Sequence, residues 1–252
     1  MHWFYIEKSQ INGEYISITG SDVNHIKNVL RMSKGERVVI CDGEGKDYYC
    51  TLQDFSASEI VAKIEDINDT ESELQGKIYL FQGIPKKDKM ELIIQKAVEL
   101  GAYEVIPVSM KRCVAKIEDR KKEEKKIERW QSIATSAAKQ SGRGIIPKVR
   151  NVMRFSEAVA FAKGLDINIV PYEQADNMSE TKQMIQKAAS QKSIGVFIGP
   201  EGGFDESEIS AVIEAGFCPV TLGRRILRTE TAGLTILSVL MFELEKERDS
   251  IV

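Results

Sequence analysis

The residues best suited to chemistry lie in two glycine-bearing loops near the C-terminus. They are Ile198-Gly199-Pro200-Glu201-Gly202-Gly203-Phe204 and Leu222-Gly223-Arg224-Arg225-Ile226-Leu227-Arg228-Thr229-Glu230-Thr231-Ala232. Together they gather bare backbone, three arginines and two carboxylates. Gly199, Gly202 and Gly203 leave the main chain accessible and permit positive φ, and free amides are expected at the start of the helix that follows. Arg224, Arg225 and Arg228 are costly near a packed strand end unless they meet anions or carboxylates. Leu222, Ile226 and Leu227 could line an apolar slot while Gly223 and its neighbours offer amides to a base edge. The combination suits an adenosine pocket with a charged rim. The phosphate-loop pattern GxxxxGK[ST] is absent, as is GxGxxG after the first α/β strand, so ATP and NAD are disfavoured. Taken alone, the first loop also reads as a plain strand-to-helix turn.

The elements that must position these loops change character along the chain. Up to residue 72 the pattern is mostly short β-rich runs, at 4–6, 37–41, 48–55 and 59–67, with turn residues at 42–46. A helical stretch at 22–30 interrupts them. This predicts a small barrel or sandwich, followed by a polar linker at 68–73. Beyond it strands at 77–82, 103–108, 167–170, 194–198 and 217–222 alternate with helices. The helices are expected at 88–100, 123–140, 155–163, 179–189, from Asp205 onward, and at 231–247. Asp205 with Glu208 forms a possible capping box. The alternation implies an α/β domain over 73–252 with a mostly parallel sheet. In such sheets ligands bind at the carboxyl ends of strands, where both loops fall.

Composition narrows the class. The chain has 252 residues, enough for one large or two modest domains, and its 42% apolar content is that of an ordinary globular protein. No apolar run approaches the roughly 20 residues needed to span a bilayer, and the start lacks the pattern of a secretion signal, so a cytoplasmic protein is expected. Cys41, Cys50, Cys113 and Cys218 form no CxxC, and the only histidines are His2 and His25; buried free thiols and no metal site are expected. The net charge of −3 is unevenly spread. Residues 1–72 carry 7 basic and 13 acidic side chains, whereas residues 73–150 carry 18 and 10. A basic middle suggests a local polyanion surface. Over 120–129, where lysine and glutamate interleave, a solvated helix explains the charge equally well. Lys86, Lys87, Lys89, Lys111, Arg112, Arg143, Lys148 and Arg150 are less neutralised locally and are better candidates for phosphate contacts.

The two loops, in this order, resemble those of the bacterial 16S ribosomal RNA uridine-N3 methyltransferases, the ribosomal small subunit methyltransferase E family of the SPOUT superfamily. Further matches are Lys96-Ala97-Val98-Glu99-Leu100-Gly101, Gln140-Ser141-Gly142-Arg143 and the stretch HIKNVLRMSKG at 25–35. The resemblance covers essentially the whole chain. It implies an N-terminal PUA-like barrel (1–72), a trefoil-knotted α/β domain (73–252) with helices on both faces of the sheet, and a homodimer. It also implies S-adenosyl-L-methionine as cofactor, held by Ile198, Gly199, Pro200, Gly202, Gly203, Leu222, Gly223, Arg225, Ile226, Leu227, Thr231 and Ala232. The partner would be 16S rRNA or the 30S subunit, with no membrane and no metal.

Uridine N3 is a poor nucleophile while protonated, so a base, or a cation stabilising the anion, is expected to help. Glu201 and Glu230 are the available carboxylates; each also reads as a loop-fixing group paired with one of the arginines. Arg228 and Arg143 are candidates to stabilise negative charge on the uracil oxygens. Arg31, Lys34, Lys86, Lys87 and Arg143 are candidate RNA contacts, and each also reads as a solvated surface charge. His25 reads better as a helix-face or loop hydrogen bond than as a catalyst. Two rival readings remain at this point: a ribose 2′-O-methyltransferase of the same superfamily, and a non-catalytic RNA-binding assembly factor.

Overall fold

The computed structural model describes residues 2–114 and 119–245. The chain divides into two compact units, one comprising the residues up to Glu73 together with Ala138–Ile146, the other Leu74–Ala137 and the residues from Pro147 onward.

The first unit is a six-stranded sheet in the order β1-β4-β5-β6-β3-β2. Its strands are β1 (His2–Tyr5), β2 (Ile11–Asn12), β3 (Tyr15–Thr19), β4 (Arg37–Cys41), β5 (Lys46–Phe55) and β6 (Glu59–Asp69). β1 runs parallel to β4 and the other pairs are antiparallel. Alternating residues, Ile16 and Ile18, Val38 and Ile40, Cys50 and Leu52, Ile60 and Ala62, share one buried cluster with Phe4, Val23 and Ile26, as the period of a strand requires. Two register shifts in the β5–β6 pair add local twist to the sheet. β3 is absent from the sequence-based expectation, although Ile16 and Ile18 alternate with polar residues. The expected linker at 68–73 is partly strand, because β6 continues to Asp69. The helical stretch is a short α1 (Ser21–Asn24) followed by a π-helical turn at His25–Val29.

Residues 138–146 are bonded into this unit. The Arg143 guanidinium is 4% exposed and ion-paired through two nitrogens with Glu73. The Tyr5 hydroxyl donates to the Arg143 carbonyl. Gly144 donates to Ser72 Oγ at 2.8 Å, and a Cβ there would lie 2.1 Å from Thr70 Oγ1. Arg143 thus differs from its sequence reading as a locally unneutralised charge. Its charge is paired with the Glu73 carboxylate within the first unit. Burial pushes the thiols of Cys41 and Cys50 in this unit up to about 12, which leaves them unreactive. The four cysteines are free, with Cys218 only partly buried.

The second unit is built on a seven-stranded sheet of order β10-β8-β7-β12-β11-β13, with β9 also on β8. Every pair in it is parallel. In chain order the elements are β7 (Lys77–Gly83), α2 (Lys89–Glu99), β8 (Ala102–Ser109), α3 (Arg120–Ser141), β9 (Lys148–Val149), β10 (Met153–Arg154), α4 (Phe155–Ala162), β11 (Ile167–Pro171), α5 (Met178–Ala189), β12 (Ser193–Ile198), α6 (Glu206–Glu214), β13 (Cys218–Val220) and α7 (Thr229–Leu244). Phe81, Ile106, Val108, Val170 and Phe197 form one core with α4 and α6 residues Ala158, Ile209 and Val212. Phe81 and Phe197 stack at 4.2 Å between centroids. Among the described residues no helix is long and apolar enough to cross a membrane, and no group of three His, Cys, Asp or Glu is placed to hold a metal.

Candidate functional site

β7 and β12 are neighbours at the middle of the sheet, in a register that sets Gln82 beside Ile198. From β7 the chain moves to β8 on one side; from β12 it moves to β13 on the other. The strand order therefore switches direction between them, and such a point opens a crevice at the carboxyl ends of the strands. The register also brings Gly83 against the first loop. A Cβ on Gly83 would lie 2.7 Å from the Pro200 nitrogen, closer than any side chain allows, so glycine is what permits the approach.

The first loop is fixed at nearly every residue. The Gly199 carbonyl accepts from Thr229 Oγ1 at 2.6 Å, and Thr229 Oγ1 accepts from Gln82 Nε2 at 2.9 Å. Gln82 Oε1 is buried without a partner. The Glu201 carboxylate accepts from the Lys86 amide at 3.0 and 3.3 Å. Arg112 donates to the Gly202 carbonyl at 3.1 Å. Asp205 caps α6, accepting from the Ser207 amide, while Glu208 Oε2 accepts from the Asp205 amide at 2.9 Å. Hydrogen bonds from Ser207 and Lys111 pull the Asp205 carboxyl down to about 2.

The second loop has few such ties. Thr221 Oγ1 accepts from the Gly223 amide at 3.2 Å, and Gly223 takes φ +106° with open space where a Cβ would stand. Arg224, Arg225 and Arg228 are exposed; among the described residues none forms an ion pair with a carboxylate. Ile226 is 88% exposed and does not line an apolar slot within this chain, whereas Leu222 and Leu227 are half-buried. Thr231 and Ala232 lie in the first turn of α7.

The glutamates depart from expectation. Both pair with a lysine rather than an arginine: Lys89 Nζ lies 3.3 Å from Glu201 and 3.1 Å from Glu230. Burial pushes the Glu201 carboxyl up. Its own amide, the Lys86 amide and Lys89 outweigh that and hold it below the usual range. Glu230 behaves likewise, with burial opposed by its own amide, Lys89 and the charge of Arg228. Lowered in this way and bonded to Lys89, each carboxylate is a weaker proton acceptor than a free glutamate and serves visibly as a tie between elements. Lys89 was legible only as one of eight basic residues. Of the others, Lys111 pairs with Asp205, Arg150 with Glu104 and Arg143 with Glu73.

Lys86 and Lys87 are exposed on the turn after β7, and Arg31 and Lys34 are exposed in the first unit. Lys34 lies 3.4 Å from Asp54. Arg31 and Lys87, at φ +54° and +56°, are the non-glycine residues with positive φ among the described residues.

A parallel sheet with glycine-bearing loops at the carboxyl ends of its strands, in a chain that also carries a β-rich unit, defines a class, and the family models agree with it. An RNA methyltransferase domain matches residues 71–241, and an RNA methyltransferase PUA domain matches residues 18–65. The chain is 38% identical to the ribosomal RNA small subunit methyltransferase E of Bacillus subtilis, over 97% of this chain and 98% of that one. It is 32% identical to the Aquifex aeolicus protein of the same name, over 96% and 99%. The crystal structure of the Neisseria gonorrhoeae protein, bound to S-adenosyl methionine, matches with a TM-score of 0.77 at 33% identity, over 96% and 97% of the two chains. The chain belongs to the ribosomal RNA small subunit methyltransferase E family.

The cofactor of this family fits what the loops offer. Gly199, Gly202, Gly203 and Gly223 carry no side chain over their main chain, Gln82 keeps a buried acceptor without a partner near Gly233, and Arg224, Arg225 and Arg228 are exposed.

Proposed function

We propose that this protein methylates N3 of a uridine in 16S rRNA, in the cytoplasm, acting on the small ribosomal subunit. The observation that carries the reading is the pairing of a rigid glycine loop with a loosely tied arginine loop at the switch point between β7 and β12. The backbone of 198–203 and 222–227, with Thr231 and Ala232, would hold S-adenosylmethionine, which supplies an electrophilic methyl group on a sulfonium. The chain's own contribution is to orient the uracil and favour its N3 anion. Arg228, exposed at the start of α7 and outside any ion pair among the described residues, stabilises negative charge on the uracil oxygens. The N3 proton leaves to solvent rather than to Glu201 or Glu230, because carboxyls held below their usual range and bonded to Lys89 are weak bases. Arg31, Lys34, Lys86 and Lys87 contact RNA phosphates. Left-handed backbone at Arg31 and Lys87 supports this, since strained conformations concentrate at functional sites.

We further propose a homodimer. From Thr231 to Phe242, α7 carries no charged residue, and Phe242 and Val239 on it are 79% and 38% exposed. A surface helix of this kind calls for a partner. Light scattering that finds a monomer at micromolar concentration would refute it.

The decisive assay incubates the purified protein with labelled S-adenosylmethionine and 30S particles lacking the modification, followed by nucleoside analysis. N3-methyluridine is expected. A 2′-O-methylated nucleoside would replace the reading with a ribose methyltransferase, and RNA binding without transfer would leave an assembly factor. Arg228→Ala should slow single-turnover methylation by roughly a hundredfold; a normal rate removes Arg228 from the mechanism.

A further inference from the structure

Two links join the first loop to the start of α7. The inner one runs from Gln82 through Thr229 to the Gly199 carbonyl, with Gln82 and Thr229 both buried. The outer one is Lys89, whose ammonium sits between Glu201 on the first loop and Glu230 in the first turn of α7. Its side chain remains 30% exposed.

Lys89 occupies an electrostatically unfavourable place. It is the first residue of α2, after Asp88, and the N-terminus of a helix disfavours a cation. What offsets this is the pair of carboxylates converging on its ammonium. Without it those two anions would share one crevice with no counter-charge between them. The Lys86 amide reaches Glu201, and Arg228 lies close enough to Glu230 to lower its carboxyl. One ammonium thus connects the turn after β7, the glycine loop and the helix start that carries Arg228.

We infer that Lys89 is a positioning residue, a latch that holds the two cofactor loops at a fixed separation and so sets both cofactor affinity and the placement of Arg228. It touches neither methyl group nor uracil. The inner link keeps the strand ends together by itself, so removing the latch loosens the loops without unfolding the sheet. The inference rests on the proposed reading only for the identity of the ligand.

The test compares Lys89→Met, Lys89→Arg and the wild type. In the ligand-free proteins, hydrogen exchange is measured at the amides of 199–203 and 228–231. Lys89→Met should speed exchange in both segments together, at a melting temperature near that of the wild type. Calorimetry should then show S-adenosylmethionine binding weakened at least tenfold, and kcat should fall while KM for RNA holds. Lys89→Arg should recover most of the affinity.

The pH profile adds a readout that packing alone would not move. In the wild type both carboxylates lie below their usual range, so affinity persists until acid reaches them there. In Lys89→Met burial is opposed by less, both carboxyls rise, and the acid limb of binding moves to higher pH.

If Lys89→Met is poorly folded, Glu230→Gln removes one arm of the latch, and the same coupled exchange must appear. Unchanged loop exchange and unchanged cofactor affinity in the folded variants overturn the latch. Failure of the wild type to bind S-adenosylmethionine sinks the functional reading instead, while the ligand-free exchange result still judges the latch separately.

Discussion

The two glycine-bearing loops leave the same edge of one sheet, yet they are built on opposite plans. The loop after β12 has its carbonyls, its carboxylate and its exit helix bonded, so it is set before any ligand arrives. The loop after β13 is tied at Gly223 and again only where α7 begins, and between them it presents Arg224, Arg225, Ile226 and Arg228. Preorganised backbone lowers the ordering cost of binding, whereas unbonded cations can adapt to an irregular polyanion. On the proposed reading, the contrast separates a preset platform from a flap whose backbone meets the cofactor while its arginines face the RNA.

The contrast can be broken most severely at its tightest point. Gly83→Val drives a branched side chain into Pro200, whose backbone cannot yield. It should cost about 2–3 kcal/mol or more, read as a fall in the denaturant midpoint together with failure to bind the cofactor. Thr229→Val keeps the shape but strips the Gly199 carbonyl and Gln82 Nε2 of a buried partner. A destabilisation of about 1–3 kcal/mol is expected; a neutral result would mean the inner link does not hold the platform.

Asp205→Ala removes the cap of α6 and should lower the melting temperature by roughly 3 °C. The sign of its pH dependence follows from the depressed carboxyl. The cap is fully present above the ordinary aspartate range and disappears only as pH falls toward about 2. Melting of the wild type relative to the variant between pH 5 and pH 2 checks this. The mildest change belongs to the flap. Arg224→Ala with Arg225→Ala should alter stability by less than about 0.5 kcal/mol. The salt slope of RNA binding should nevertheless fall by roughly 0.7–0.9 for each phosphate that the variant no longer neutralises.

Much of the platform was legible in the sequence. The strand-helix rhythm placed both loops at strand ends, and the Asp205–Glu208 spacing announced the cap that the structure contains. What pattern could not supply is pairing at long range. Lys89 and Glu230 lie 141 residues apart, and nothing in the local spacing of either distinguishes the other from the remaining lysines and glutamates. The strand order, with β12 inserted between β7 and β11, is equally invisible to periodicity, which fixes element type but not neighbours. The pairing of Arg143 was hidden for a related reason. Its local charge looked uncompensated because Glu73, its partner, belongs to a stretch that reads as a linker.

That same arginine bears on how the protein is made. The first unit takes in Ala138–Ile146, so its last pieces leave the ribosome well after Glu73 does. N-terminal units commonly fold as they emerge, but this one has to wait. A nascent chain halted near residue 110 would carry Glu73 without Arg143, and Thr70 without the glycine that covers it. Construction of the N-terminal unit is therefore scheduled by the synthesis of α3, and a chain cut after residue 73 would be an unfinished object rather than a separable module.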